Sequence, residues 1–134
     1  MFKVYTDAAA NGNPGSAGIG IILSGTQKYE QLSIPLSGKW DNHSAEWEAM
    51  RLAAKWLNEN LDESSILLLY TDSQIVAKSL EKQYVKNDIF KPYLDECLTL
   101  LTKFAFWEVK WIPEKQNRGA DNLAKQALQK AIKK

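Results

Sequence analysis

Five consecutive apolar residues, Ile66-Leu67-Leu68-Leu69-Tyr70, constrain the fold most. On a strand, neighbouring side chains point to opposite faces, so an unbroken apolar run demands cover on both faces. The flanking segments supply that cover. From Asn42 to about Asn60, Ala45, Ala49, Leu52, Ala53 and Trp56 recur at helical spacing, and residues from Ser73 to about Gln83 continue as a helix. The run at Ser65–Thr71 is therefore expected to be a central strand between helical layers.

The rest of the chain fits round that strand. Residues 2–7 alternate, with Phe2, Val4 and Thr6 on one side and Lys3, Tyr5 and Asp7 on the other. Asn11-Gly12-Asn13-Pro14-Gly15 is dense in turn formers and predicts a loop. Gly18–Leu23 and Gln27–Pro35 read as strands joined at Ser24-Gly25-Thr26, which completes an antiparallel meander. A second helix pair is expected at Ile89–Phe104, with Pro92 in its first turn, and at Asn117–Lys133, with Leu123, Ala124, Ala127, Leu128 and Ala131 inward. Phe106–Ile112 reads as a last strand, closed by Pro113. The order β-β-β-α-β-α-α-β-α predicts an α/β fold: a mixed five-stranded sheet, antiparallel over its first three strands and parallel over the last two, with helices on both faces.

Length and composition narrow the class. With 134 residues, 45% hydrophobic and 25% charged, the chain suits one soluble domain over residues 1–134, expected as a monomer. No stretch reads as a membrane span or signal peptide. The single cysteine, Cys97, cannot form an internal disulfide and lies among Leu94, Leu98 and Leu101, as a core residue would. A reducing, cytoplasmic setting is the default for such a chain. The net charge of +1 hides an asymmetry: residues 1–102 hold 9 basic and 13 acidic side chains, residues 103–134 hold 8 and 3. A basic last helix beside an acidic site suits a polyanion bridged to the acids by cations.

Four carboxylates carry the chemistry. Asp7 and Asp72 each follow a strand, Glu46 is expected in the first turn of its helix, and Asp121 stands near the start of the last helix. In open α/β sheets ligands bind beyond the carboxyl ends of the strands. If the first strand lies beside Ser65–Thr71, Asp7 and Asp72 become neighbours there. Clustered acids need compensating cations, and carboxylates with water and phosphate oxygens are the usual ligands of Mg²⁺. The pattern points to metal-assisted chemistry on a phosphodiester. Gly12-Asn13-Pro14-Gly15 lacks the Lys-Ser/Thr of a P-loop, so nucleotide binding there is rejected. Trp47, Trp56, Trp107 and Trp111 are expected in or near the core, and Glu48, about 200° round the helix from Glu46, is expected to face solvent.

Tyr5-Thr6-Asp7, Gly12-Asn13-Pro14-Gly15, Asn42-x-x-x-Glu46, Thr71-Asp72-Ser73-Gln74 and Asn117-Arg118-Gly119-Ala120-Asp121-Asn122-Leu123-Ala124 occur in one order. Together they resemble type 1 ribonuclease H from about residue 2 to residue 130. The resemblance implies the ribonuclease H-like fold and hydrolysis of the RNA strand of an RNA–DNA hybrid. It implies two Mg²⁺ ions, or Mn²⁺, held by Asp7, Glu46, Asp72 and Asp121. It also places Asn13, Asn42 and Gln74 where the family meets the hybrid, and Asn87, within Val85-Lys86-Asn87, where it meets a DNA phosphate.

The chain departs from the family in places. Ala8 follows the first aspartate, where glycine is usual, and Asp41 stands where threonine usually serves a phosphate pocket. A carboxylate facing a phosphate would repel it; capping the following helix is the alternative for Asp41. The segment Pro113-Glu114-Lys115-Gln116 has no catalytic histidine; Glu114 reads as a solvated residue or a partial substitute, and His43 is the chain's one histidine. The basic protrusion of some members is missing. These departures keep open a second expectation, a fold-retaining nucleic-acid-binding or regulatory protein with weak or no cleavage, and a third, a related nuclease or integrase-like enzyme.

Overall fold

The computed structural model describes residues 1–133; Lys134 lies outside the described residues. Strands β1 (Phe2–Gly12), β2 (Gly15–Ser24), β3 (Tyr29–Pro35), β4 (Ile66–Thr71) and β5 (Phe106–Trp111) form one sheet in the order β3-β2-β1-β4-β5. Pairs β1–β2 and β2–β3 are antiparallel, whereas β1–β4 and β4–β5 are parallel. The helices are α1 (Asn42–Asn60), α2 (Gln74–Lys82), α3 (Lys91–Leu101) and α4 (Arg118–Ile132). The expected α/β architecture is the one observed.

β4 lies inside the sheet, but only one of its faces is covered as expected: Ile66 is 44% exposed and Leu68 and Tyr70 are half-buried, because α4 packs on β1, β2 and β3 instead. Leu67 and Leu69 are buried in the core with Val4, Trp47, Leu57 and Leu80, between the sheet and α1, α2 and α3. Cys97 joins the same core, where burial pushes its thiol up to about 12.

The first strand is longer than its alternation suggests. Turn formers were expected to open a loop from Asn11, yet β1 continues through Ala8, Ala9 and Ala10 to Gly12, which pairs with Gly15. The three alanines fit the pleat, so the ladder runs on until the Asn13-Pro14 corner. Gly12 takes a φ of +100°, a region that favours glycine, and a side chain on Gly15 would overlap the Asn11 carbonyl.

The layer opposite α1 is α4, and small residues bring it close. Gly18 and Gly20 of β2 face it, and a methyl group on Gly20 would overlap the Ala120 carbonyl and stand 2.6 Å from the Ala124 nitrogen. Ala120, Ala124 and Ala127 form the buried line of α4, while Leu123, Leu128 and Ala131 lie at its half-buried margins. Ala124 and Ala127 point inward as expected, whereas Leu123, Leu128 and Ala131 are only half-buried, because the glycine floor admits alanines for closest contact.

Two expectations about charge and exposure fail. Glu48 does not face solvent: Arg51 donates to both its carboxylate oxygens at 2.7 Å and also reaches Glu96 at 3.4 Å. The helix face opposite Glu46 is covered by α3, and Arg51 clamps the two helices. Trp47 is fully buried, but Trp111 is 46% exposed because β5 is an edge strand.

The α4–β2 contact predicts that Gly20→Ala destabilises the fold by about 2 kcal/mol or more, as overpacking does. Urea denaturation measures this; a loss below about 0.5 kcal/mol would mean that α4 shifts freely.

Candidate active site

The register of β1 on β4 builds the centre. Thr6 pairs with Thr71 as the last rung, so the next residues, Asp7 and Asp72, emerge side by side. Both threonines are buried. Past Asp72 the chain turns sharply: the Ser73 N–H donates to Thr71 Oγ1 at 3.0 Å, and Ser73 Oγ accepts from the Val76 N–H at 3.2 Å, capping α2. The turn and cap hold Asp72 at the strand end, where the Trp111 indole N–H also donates to its carbonyl at 3.0 Å.

Glu46 arrives from α1. Asp41 caps that helix by accepting the Ser44 N–H at 2.8 Å, so α1 begins at Asn42 and Glu46 falls in its second turn, not its first. One ligand oxygen each from Asp7, Glu46 and Asp72 lies within 4.8 Å of the others. Asp121 stands in the first turn of α4. It is outside that trio and accepts from Lys125 Nζ at 2.9 Å, but its charge still acts on Asp7 and Asp72.

The trio is crowded and poorly hydrated. Burial, then the Asp72 charge, pushes the Asp7 carboxyl up to about 9, against a single hydrogen bond from the Ala8 N–H at 2.9 Å. Burial also raises Asp72, opposed by hydrogen bonds with Asp7 and Asn117. Glu46 is raised by burial and by Asp72, opposed by Ser73 and His43. Three hard oxygen donors converging without an adjacent buried cation among the described residues form a donor set suited to Mg²⁺ or Mn²⁺.

The amides flank this centre on two sides. Asn13 Oδ1 accepts the Asn42 backbone N–H at 3.1 Å, tying the β1–β2 corner to the start of α1. Asn42 then borders a cleft of about 270 Å³ with Ala8, Ala9, Ala10, His43 and Glu46. Gln74 and Asn87 border a second cleft, of about 560 Å³, with His43 between the two. Asn87 also accepts the Ile89 N–H at 3.1 Å and caps the short turn before α3. Asp41 is the helix cap: burial raises its carboxyl, but the bonds from Ser44 outweigh this and hold it below its ordinary value.

One residue under the site was quoted from the sequence without a role. Asn117 is 1% exposed, and its Nδ2 donates to the Thr6 carbonyl at 2.8 Å. It therefore locks the start of α4 to the strand that carries Asp7. Its polar side chain within a motif spaced four residues before Asp121 was the available signal; burial became visible only in three dimensions.

The RNase H family model matches residues 1–129. The chain belongs to the ribonuclease H family. Ribonuclease HI of Halobacterium salinarum (strain ATCC 700922 / JCM 11081 / NRC-1) is 32% identical over 130 residues, 95% of this chain and 64% of its own length. The crystal structure of RNase H1 from that archaeon superposes with a TM-score of 0.85 at 31% identity, covering 97% of this chain and 98% of that one. LC11-RNase H1, solved in complex with an RNA/DNA hybrid, gives a TM-score of 0.88 at 26% identity over 98% of this chain and 99% of its own. EbsB of Enterococcus faecalis (strain ATCC 700802 / V583), whose hydrolase designation is provisional, is 44% identical over 130 residues, 97% of this chain and 96% of its own. This ribonuclease H family protein contains, among its described residues, no helix long and apolar enough to cross a membrane.

The raised carboxyl of Asp7 sets a pH dependence. Between its unfolded value of 3.8 and about 9 the folded state binds more protons than the unfolded one, so metal-free stability falls as pH rises through that window. The metal-free protein should melt at least about 3 °C higher at pH 5 than at pH 8, and Asp7→Asn should shrink the difference. Thermal melts in chelator test this; an equal pH effect in the variant would place its origin elsewhere.

Proposed function

We propose that this protein is a metal-dependent endonuclease that hydrolyses the RNA strand of RNA–DNA hybrids, with two Mg²⁺ or Mn²⁺ ions held by Asp7, Glu46, Asp72 and Asp121. The observation that carries this reading is the convergence within 4.8 Å of three carboxylates, two at the ends of parallel strands and the third, Glu46, from α1. Family membership and the hybrid bound by LC11-RNase H1 support the substrate class.

Divalent cations bound at such a site supply Lewis acidity and a nucleophile at neutral pH. The chain's own residues do the rest. Asp7 and Asp72 offer fixed oxygens because the β1–β4 register, the Ser73 cap and Asn117 hold their backbones. A cation held by Asp7 and Asp72 would offset both the burial of the Asp7 charge and its repulsion from Asp72. Asn13, Asn42 and Gln74 are exposed beside the acids, and amide groups both donate to and accept from a ribose 2′-hydroxyl. Asn87 retains donors for a DNA phosphate at the far end of the second cleft. Recognition on this plan is by hybrid shape, and a reducing, cytoplasmic setting agrees with the buried lone cysteine.

The second reading, a binding protein with weak or no cleavage, draws on the Asp121–Lys125 pair, since Lys125 Nζ lies 2.9 Å from the fourth carboxylate.

Cleavage of a labelled RNA–DNA hybrid with Mg²⁺ or Mn²⁺ separates the two. RNA-strand cleavage by the wild type is expected, with a loss of more than about a hundredfold in Asp72→Asn, beyond what loss of an outer partner causes. Hybrid binding without cleavage under either metal would support the binding protein.

A further inference from the structure

Strand β5 forms one free edge of the sheet, pairing only with β4. Its sequence through Ile112, Phe106-Trp107-Glu108-Val109-Lys110-Trp111-Ile112, is self-complementary about Val109. Reversed on itself, it sets an aromatic opposite an aromatic, an acid opposite a base, and Phe106 opposite Ile112.

The backbone presents the matching face. The Ile112 N–H donates to Thr71 at 2.9 Å, so Ile112 turns toward β4. By alternation Trp107, Val109 and Trp111 direct their N–H and C=O groups outward. An antiparallel copy centred on Val109 would make hydrogen-bonded pairs at Val109–Val109 and Trp107–Trp111. Glu108 and Lys110 would fall in the non-hydrogen-bonded pairs, where side chains approach most closely.

The surroundings leave room for it. An open groove of about 710 Å³ runs along β5, walled on the other side by Leu80, Glu81 and Gln83. Phe106 and Trp111 are 48% and 46% exposed at the two ends of the strand. Glu108 and Lys110 are also about half exposed and meet only at 3.9 Å within their own strand. Charges on an edge strand commonly deter pairing. Here they have opposite sign and equal distance from the centre, so a second copy meets attraction at both positions.

We propose that two copies of this chain pair antiparallel through β5, joining their sheets into one across a two-fold axis at Val109. Each copy's Trp111 then lies beside the other's Trp107 on the sheet face toward α2, and two Glu108–Lys110 pairs fix the register. Such an interface is isologous and closes at a dimer. It differs from the monomer expected from the sequence and does not rest on the hydrolytic reading.

Charge swapping tests it. Sedimentation equilibrium of the full chain from roughly 1 to 500 μM should give a monomer–dimer equilibrium. Glu108→Lys alone and Lys110→Glu alone should each weaken association by at least about tenfold, because like charges then face across the pair. An equimolar mixture of the two single variants, or the double variant Glu108→Lys/Lys110→Glu, should restore it. Thermal melts confirm that each variant folds. A wild type that stays monomeric throughout, or a dimer indifferent to the swaps, overturns the proposal.

Discussion

Two carboxylates that would repel are held side by side because a buried parallel ladder gives them no other place. Thr6 and Thr71 are the last rung of β1 on β4, and Asp7 and Asp72 are the residues that follow. The ladder is anchored by Val4, Leu67 and Leu69, all essentially fully buried. Core burial of this kind stabilises by about 1.5–3 kcal/mol per large apolar side chain. It can therefore sustain an unfavourable charge arrangement at its edge. Burial first, and the Asp72 charge second, raise the Asp7 carboxyl to about 9, and a bound cation would offset both.

The other parts of the site serve the same arrangement from three directions. Asp41 and Ser73 cap α1 and α2, so Glu46 and Asp72 are presented from helix starts with satisfied backbone donors. Gly18 and Gly20 let α4 lie directly on β2, and Gly20 is the register partner of Asp7. That contact brings the helix carrying Asp121 over the same strand. Asn117 completes the join with its bond to Thr6. A change at any of these positions would move a carboxylate without touching it.

Residue patterns revealed much of this, and the failures have identifiable causes. The apolar run at β4, the alternation in β1 and the helical spacing of α1 placed the acids on the right elements. Helix and strand limits shifted where a local preference competed with pairing, as when Ala8–Ala10 carried β1 to Gly12. Glu48 was misplaced because helical spacing says which residues share a face, not whether that face meets water or α3. Trp111 was misplaced for a related reason: an aromatic residue is apolar wherever it stands, but only the strand order makes β5 an edge.

The sequence by itself determined the elements, their order and the four acids, because periodicity, turn chemistry and strand-end position are local properties. Tertiary structure decided which acids converge. It drew Asp7, Glu46 and Asp72 within 4.8 Å and left Asp121 paired with Lys125. It also turned Asp41 into a cap, buried Asn117, and exposed the self-complementary edge of β5. Each outcome depends on contacts between residues far apart in the chain, and the packing of α4 on glycine and of α3 on α1 fixes distances that no local pattern encodes.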